Sequence, residues 1–159
     1  MNPLVIILLG SKSDLEHAKK IESASTQFGL ESVVHIGSAH KSAEHVMQLL
    51  DKYEAEARPK LYITIAGMSN ALSGFTDGYV SAPVIACPPP SDAFGGMDLL
   101  SSVRMPSGIA AAVILSPSNA ALFAAKYFGQ FDSDIHQRVL AFQKAQTEKI
   151  IKDDKDLRP

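Results

Sequence analysis

The sequence has no tryptophan, a single cysteine and no long hydrophobic run, and each of these absences excludes something. Cys87 has no second cysteine to pair with, so a disulfide within the chain is excluded, and its apolar neighbours favour a packed thiol over a nucleophile. The longest apolar runs cover about eight residues, far fewer than the roughly 20 that a membrane-spanning helix needs. Because an apolar run also follows Met1 without a basic leader, we expect a cytoplasmic protein with no membrane partner.

The sequence also has no excess of either charge. Lys and Arg together number 15 and Asp and Glu 17, which gives a formal net charge of −2 at pH 7. No overall positive field is present to attract nucleic acid, so we expect no nucleic-acid partner. An anionic ligand would have to be bound by local groups.

Several cofactor-binding signatures are missing. No G-x-G-x-x-G and no G-x-x-x-x-G-K-[ST] occurs, which argues against dinucleotide and ATP binding. The five histidines have no metal-ligand spacing with Cys or acidic residues, so we expect no metal site. A response regulator would carry its phosphoacceptor aspartate at the end of the third apolar run, where this sequence has Gly67.

Five short apolar runs predict five β-strands. Their continuous Val, Ile and Leu content, without alternation, is typical of parallel strands buried on both faces. Apolar residues at helical spacing between the runs predict the covering helices. The strands are predicted at residues 4–9, 32–36, 61–66, 83–87 and 110–115, and the helices at 15–28, 42–58, 70–80, 97–105 and 118–128.

The alternation of strands and helices predicts a single α/β domain over residues 1–159, with a core at 3–130. We expect a three-layer αβα sandwich with the flavodoxin-like strand order 2-1-3-4-5. An extra C-terminal helix is predicted at 131–155. Its apolar stripe is left over once the sheet is covered, and so would need a partner. The stripe consists of Ile135, Val139, Phe142, Gln146 and Ile150.

In this strand order the loops after strands 1, 2 and 3 meet at the carboxyl edge of the sheet, where such folds bind ligands. Loop 1 (residues 10–14) has glycine and serine at a helix start, which suits a phosphate, and Asp14 could accept hydrogen bonds from sugar hydroxyls. The alternative is a tight turn in which Ser13 or Asp14 caps the helix.

Loop 2 (residues 37–42) and the stretch after strand 3 (residues 67–74) also begin with glycine, and the first part of that stretch, residues 67–70, is called loop 3. Loop 2 adds one imidazole and one cation, His40 and Lys41, to the serines of all three loops. Together the loops predict a site for a small phosphorylated molecule. The alternatives are a solvated histidine and lysine, and a plain helix cap formed by Ser69 and Asn70.

Five motifs occur along these elements: GSKSD after strand 1, SAHK after strand 2, AGMSNALSG after strand 3, ACPPPSD after strand 4 and SSVRMPSGI before strand 5. With them the chain resembles the aminoimidazole ribonucleotide carboxylase (PurE) family of purine biosynthesis over about residues 5–128. SAHK and AGMSN resemble class II, which carboxylates aminoimidazole ribonucleotide directly with CO2. The other branch moves a carboxylate from nitrogen to carbon on N5-carboxyaminoimidazole ribonucleotide. Met68 stands where class II members carry arginine.

The resemblance implies roles for the residues of the three loops. It places the phosphate and ribose near Ser11, Ser13, Asp14, Ser38 and Lys41. It places the aminoimidazole and CO2 near His40, Gly67, Ser69 and Asn70. His40 would take the proton from C4, and the nucleophilic ring would need no biotin, metal or ATP, so no cofactor is expected.

The resemblance further implies a homo-octamer in which the C-terminal helix packs on neighbouring subunits. Two other kinds of protein remain as alternatives. One is a flavin mononucleotide carrier, although the loops hold no aromatic pair to sandwich a flavin ring. The other is a non-catalytic module that senses nucleotides.

Overall fold

The computed structural model describes residues 2–157, which form a five-stranded sheet between two layers of helices. The strands are β1 (Leu4–Leu9), β2 (Glu31–Ile36), β3 (Lys60–Ile65), β4 (Val84–Ala86) and β5 (Ala112–Val113). The helices are α1 (Leu15–Gln27), α2 (Ala43–Glu54), α3 (Ala71–Tyr79), α4 (Leu100–Val103), α5 (Pro117–Phe128) and α6 (Ser133–Asp156). The sheet is parallel throughout with order β2-β1-β3-β4-β5, which confirms the predicted flavodoxin-like arrangement.

The two faces of the sheet carry separate apolar cores. On one face Val5, Ile7 and Leu9 of β1 pack with α1, α5 and the start of α6. On the other face the alternate residues of β1 pack with α2 and α3. This alternation within β1 produces the three predicted layers, because successive side chains of a strand point to opposite faces.

The prediction that all five strands are covered on both faces was wrong for the two edge strands. β1, β3 and β4 are buried almost throughout, whereas β2 and β5 are only half-buried. An edge strand has a neighbour on one side only, so its side chains keep more solvent contact. The apolar content of β2 therefore reflects β-propensity and one-sided packing rather than full burial.

The region after β4 departs most from the predicted elements. Only four residues of the helix expected at 97–105 are α-helical, and a 3₁₀ segment, Ala93–Leu99, precedes them. Phe94, Gly95 and Gly96 there have positive φ angles, which interrupt a regular helix. β5 is also shorter than expected, because residues 88–90 are all prolines and cannot donate the hydrogen bonds that would extend the ladder from β4.

The predicted C-terminal helix is present as α6. Asp132 caps it by accepting hydrogen bonds from the N–H groups of Asp134 and Ile135, both at 3.0 Å. Ile135 and Val139 are buried against the helix's own chain, whereas Ile150 is 66% exposed. The first half of the predicted apolar stripe thus belongs to the core of this subunit, and the second half remains exposed. Within residues 2–157, no helix is long and apolar enough to cross a membrane.

Candidate active site

The register of the three central strands brings loops 1, 2 and 3 to the same edge. Leu9, the last residue of β1, aligns with Ile36 of β2 and with Ile65 of β3. The next residues continue the ladder, since the Gly10 N–H donates to the Ile65 carbonyl and the Gly37 N–H to the Leu9 carbonyl, both at 2.8 Å. All three loops therefore leave the sheet at one level.

A cavity of about 500 Å³ lies where these loops meet. Eight of the nine predicted site residues line it, and Asn70 does not. The eight are Ser11, Ser13, Asp14, Ser38, His40, Lys41, Gly67 and Ser69. The structure thus brings together the hydroxyls, the imidazole, the ammonium group and the carboxyl group that the sequence places on separate loops.

Loop 1 is held as a single 3₁₀ turn (Lys12–Asp14) ahead of α1. Ser11 caps the turn: its Oγ accepts from the Ser13 N–H at 3.3 Å. The single proton of the Ser13 hydroxyl can go either to Ser11 Oγ at 3.0 Å or to Asp14 Oδ1 at 3.3 Å. Asp14 occupies the N-cap position of α1 but makes no side-chain hydrogen bond there, so the side-chain cap that the tight-turn alternative predicted is absent. Ser11 and Ser13 are both exposed and line the cavity.

Asp14 carries the carboxyl group of loop 1. Partial burial raises its pKa above the ordinary value of 3.8, against the opposing effects of a hydrogen bond from the Ser13 hydroxyl and of the nearby His17. A half-buried carboxylate beside an open cavity is a strong acceptor for ligand hydroxyl groups. Asp14 therefore lines the cavity, and its contact with a sugar stays a prediction.

Loop 2 is a tight turn held by its own serines. The Ser38 N–H donates to Ser42 Oγ at 2.9 Å, and the Lys41 N–H donates to Ser38 Oγ at 3.3 Å. Gly37 is required, since a Cβ there would lie 2.7 Å from Val46 Cγ2 at the start of α2. This turn leaves the side chains of His40 and Lys41 exposed at the cavity.

Ser42 occupies the N-cap position of α2, where a serine hydroxyl usually bonds the first turn of the helix. Here the hydroxyl serves loop 2 instead: it accepts from the Ser38 N–H and makes no side-chain hydrogen bond to the first turn.

Loop 3 differs from the other two in having a strained residue. Met68 has a φ of 58°, in the left-handed region that favours glycine, and its side chain is 81% exposed at the cavity rim. Asn70 is only 4% exposed and caps α3 by accepting from the Ser73 N–H at 3.2 Å. Of the two roles considered for Asn70, the helix cap is present, and contact with a ligand stays a prediction.

The cavity also has a fourth wall, which lies outside the three loops. Pro89, Pro90, Ser91 and Asp98 line it from the segment after β4. A smaller cavity of about 240 Å³ adjoins it, and Leu99 and Leu115 are among the residues that line this smaller cavity. The sequence signal for this wall was the ACPPPSD motif, since prolines after a central strand must turn the chain at the same sheet edge.

Cys87 is buried, as its apolar neighbours predicted, and it has a partner distant in sequence. Its Sγ lies 3.4 Å from Nε2 of His17 in α1. Burial raises the pKa of the Cys87 thiol to about 12, and burial lowers the pKa of His17 below 6.5. The pair is therefore neutral at physiological pH, and Cys87 is a poor nucleophile.

No metal-binding cluster is evident in the described chain. Among residues 2–157, no group of three or more His, Cys, Asp or Glu side chains is arranged to hold a metal ion. The polar side chains that line the cavity carry hydroxyls, one imidazole, one ammonium group and the carboxyl groups of Asp14 and Asp98.

Comparison with known proteins identifies the family of the chain. A family model described as AIR carboxylase matches residues 4–149. The chain is 58% identical over 158 residues to the phosphoribosylaminoimidazole carboxylase of Treponema denticola, covering 99% of both chains. It is 48% identical over 153 residues to the carboxylase of Archaeoglobus fulgidus, covering 96% of this chain and 84% of that one. A crystal structure of Treponema denticola PurE superposes with a TM-score of 0.98 at 57% identity, covering 99% of this chain and 100% of that one. The chain therefore belongs to the AIR carboxylase family.

Proposed function

We propose that this enzyme carboxylates 5-aminoimidazole ribonucleotide at C4 with CO2, giving 4-carboxy-5-aminoimidazole ribonucleotide for de novo purine biosynthesis. The observation that carries the proposal is the 500 Å³ cavity, where the phosphate-type loop 1 meets His40 and Lys41 of loop 2. The family match supports the same reaction, since both relatives named above are phosphoribosylaminoimidazole carboxylases.

The first chemical step needs positioning more than activation. The 5-amino group makes the imidazole an enamine, so C4 attacks the carbon of CO2 and an electron pair of one C=O bond moves onto oxygen. The product of this step has a tetrahedral C4 that bears both its hydrogen and the new carboxylate. Gly67 and Ser69 of loop 3 are the groups we assign to the carboxylate and ring.

The second step removes the C4 proton. The electron pair of the C–H bond returns to the ring and restores its aromaticity, while the proton passes to His40. Histidine is the side chain that most often takes up a proton in this kind of step. We therefore assign His40 as the general base. Neither step of this reaction needs biotin, a metal or ATP.

The nucleotide part of the substrate is assigned to loops 1 and 2. Ser11 and Ser13 offer hydroxyls beside the amino end of α1, which favours a phosphate. Lys41 offsets the phosphate charge as a point cation, and Ser38 adds a hydroxyl. Asp14 accepts from the ribose hydroxyls.

The mutase reaction on N5-carboxyaminoimidazole ribonucleotide remains the second candidate, and Met68 is the observation behind it. Met68 replaces the arginine expected for class II at the cavity rim, so one planar cation for a carboxylate is missing. The flavin-carrier and nucleotide-sensing alternatives have no support from the family match.

The two reactions are separated by assaying both substrates side by side. We expect turnover of aminoimidazole ribonucleotide that rises with dissolved CO2, and poor turnover of the N5-carboxy compound. Efficient use of the N5-carboxy compound, with no response to CO2, would assign the protein to the mutase branch. Met68→Arg in both assays shows whether the missing cation decides between them.

The homo-octamer and the cytoplasmic location also remain proposals. The exposed second half of α6 is consistent with subunit packing. A cytoplasmic location agrees with a substrate from nucleotide metabolism and with the lone buried thiol of Cys87.

A further inference from the structure

A serine pair outside the three loops holds loop 3 in place. Ser101 and Ser102 lie in α4, more than 30 positions along the chain from loop 3. The Asn70 N–H donates to Ser101 Oγ at 3.0 Å, and the Asn70 side-chain amide donates to Ser102 Oγ at 2.9 Å. The two hydroxyls thus bind the backbone and the side chain of the same residue.

Ser101 also reaches the other side of Ser69. Its Oγ lies 3.0 Å from the Met68 carbonyl and 2.8 Å from the Asp98 carbonyl, and its single proton can bond either of them at one time. The Ser101 hydroxyl therefore accepts from the residue after Ser69 and lies within reach of the carbonyl before it. Asp98, which lines the cavity from the opposite segment, competes with Met68 for the same proton.

Behind this contact a buried polar chain continues to the sheet. Asn70 Oδ1 accepts from the Ser73 hydroxyl at 2.9 Å, and Ser73 Oγ lies 2.7 Å from Oγ1 of Thr64 in β3. Because Ser73 gives its proton to Asn70, the 2.7 Å contact uses the Thr64 proton, which otherwise points to the Ile85 carbonyl at 3.3 Å. Four of its members, Thr64, Asn70, Ser73 and Ser102, are buried. A buried network in which every member has a partner specifies one arrangement of the backbone.

Met68 shows what this arrangement maintains. A methionine adopts a positive φ only where surrounding structure holds it there, and Ser101 Oγ lies within hydrogen-bond distance of the Met68 carbonyl. The strained residue lies directly before Ser69, which is exposed in the cavity. A change in the Met68 conformation would therefore move Ser69.

We propose that Ser101 and Ser102 are positioning residues for the carboxylation step. They touch no part of the nucleotide site on loops 1 and 2, and they set the distance between loop 3 and the Asp98 segment across the cavity. This inference rests on the proposed function, because it assigns loop 3 to the reacting ring and carboxylate. Misplacing such groups by about 1 Å can slow a reaction roughly a hundredfold without changing the anchoring of the substrate.

The test is Ser101→Ala, with Ser101→Thr as the conservative rescue and Ser107→Ala, at an exposed serine nearby, as the matched control. We expect kcat of Ser101→Ala to fall roughly tenfold to a hundredfold, while the affinity for aminoimidazole ribonucleotide by calorimetry stays within about twofold. Ser101→Thr should recover most of kcat, and Ser107→Ala should match the parent protein. If Ser101→Ala does not fold, Ser102→Ala is measured in the same way.

Hydrogen exchange at the Asn70 N–H provides a readout independent of activity. This amide should exchange faster in Ser101→Ala than in the parent protein, whether or not the parent uses aminoimidazole ribonucleotide. If the parent is active and Ser101→Ala keeps kcat within about twofold, the positioning role is refuted and the proposed function stands. Equal losses of kcat and affinity together with a lower Tm would reduce Ser101 to a structural residue. An inactive parent protein would refute the proposed function. Unchanged hydrogen exchange at the Asn70 N–H in Ser101→Ala would then separately refute the contact between Ser101 and loop 3.

Discussion

Asp14 illustrates how a binding residue can cost stability. Burial raises its pKa above 3.8, so the ionised form is less favourable in the folded than in the unfolded chain. The free energy of unfolding therefore falls as the pH rises through the pKa of the folded state, and the full contribution is present only below pH 3.8. The carboxylate is kept at neutral pH despite this cost, which agrees with a role in ligand binding.

We predict that Asp14→Asn is more stable than the parent protein at neutral pH and binds the nucleotide more weakly. The amide removes the charge that burial disfavours and keeps the size of the side chain. The gain should shrink as the pH falls towards 3.8, where the parent carboxyl group also becomes neutral. Urea unfolding across this pH range measures it, and a variant less stable than the parent at neutral pH would contradict the account.

Lys41 should act on binding rather than on the chemical step. Its charge contact with phosphate is made in the ground state and the transition state alike, so Lys41→Ala should raise KM and leave kcat nearly unchanged. Loss of a charged hydrogen bond corresponds to roughly a tenfold to hundredfold change. Lys12→Ala is the matched control, because Lys12 is exposed in loop 1 but does not line the cavity. Steady-state kinetics of both variants decide the point, and a large fall in kcat for Lys41→Ala would assign Lys41 to the chemistry.

Among the elements, α6 combines an internal and an external role. Ile135 and Val139 are buried on their own chain, and Phe142 contacts Phe28 edge to face with ring centroids 5.3 Å apart. Beyond them the helix continues to Asp156 with exposed side chains. The sequence alone showed one continuous stripe, whereas the structure buries its first half and exposes its second half.

We predict that Val139→Ala lowers the free energy of unfolding by about 1–2 kcal/mol, since it removes two buried methyl groups. Leu140→Ala is the comparison: the neighbouring side chain is 45% exposed, against 5% for Val139. Within one subunit it should change stability by less than about 0.5 kcal/mol. Denaturant unfolding of both variants tests the assignment. An equal loss for the two would mean that α6 does not pack as described, or that Leu140 is covered by another subunit.

The elements also show how far sequence reasoning reaches. The positions of β1 and β3 could be predicted because buried parallel strands are continuously apolar, and the order of the sheet followed from the βα alternation. The Ala93–Leu99 segment could not, because its path depends on three positive φ angles that no periodicity reveals. The contact between Ser101 and loop 3 was equally inaccessible, since it joins residues about 30 positions apart through single hydroxyl groups.

The site followed a similar division. Eight of the nine residues proposed for it share one cavity because strand ends in a parallel sheet meet at one edge. Asn70 caps α3 and does not line the cavity. Its side chain could equally have faced a ligand, and the sequence does not distinguish these two roles. Their roles in catalysis remain to be measured.

At the scale of the whole molecule, one chain leaves two apolar surfaces uncovered. One lies next to the cavity, where Met68, Phe94 and Met97 are exposed around a neighbouring pocket, and the other is the second half of α6 with Ile150 and Ile151. Monomeric proteins seldom expose contiguous apolar patches larger than a few hundred Å². Both surfaces are therefore candidates for contacts between subunits.

We predict a stable homo-octamer in solution, in which the second half of α6 packs on neighbouring chains. Multi-angle light scattering and native mass spectrometry at micromolar concentration measure the mass directly. Ile150→Lys should weaken assembly, because it puts a charge into the proposed contact, whereas Lys144→Ala on the exposed face should not. A parent protein that is monomeric at micromolar concentration would contradict the prediction.

The most direct test of the central claim is the effect of His40→Asn on turnover and binding. Asparagine keeps a polar side chain of similar size, so the affinity for aminoimidazole ribonucleotide through loops 1 and 2 should stay close to that of the parent. Removal of the base should lower kcat roughly a hundredfold to ten-thousandfold, the usual contribution of general acid-base catalysis. Single-turnover kinetics together with calorimetric binding separate the two quantities. Near-normal turnover of His40→Asn, with binding also unchanged, would show that another group removes the C4 proton and that the account given for this cavity is wrong.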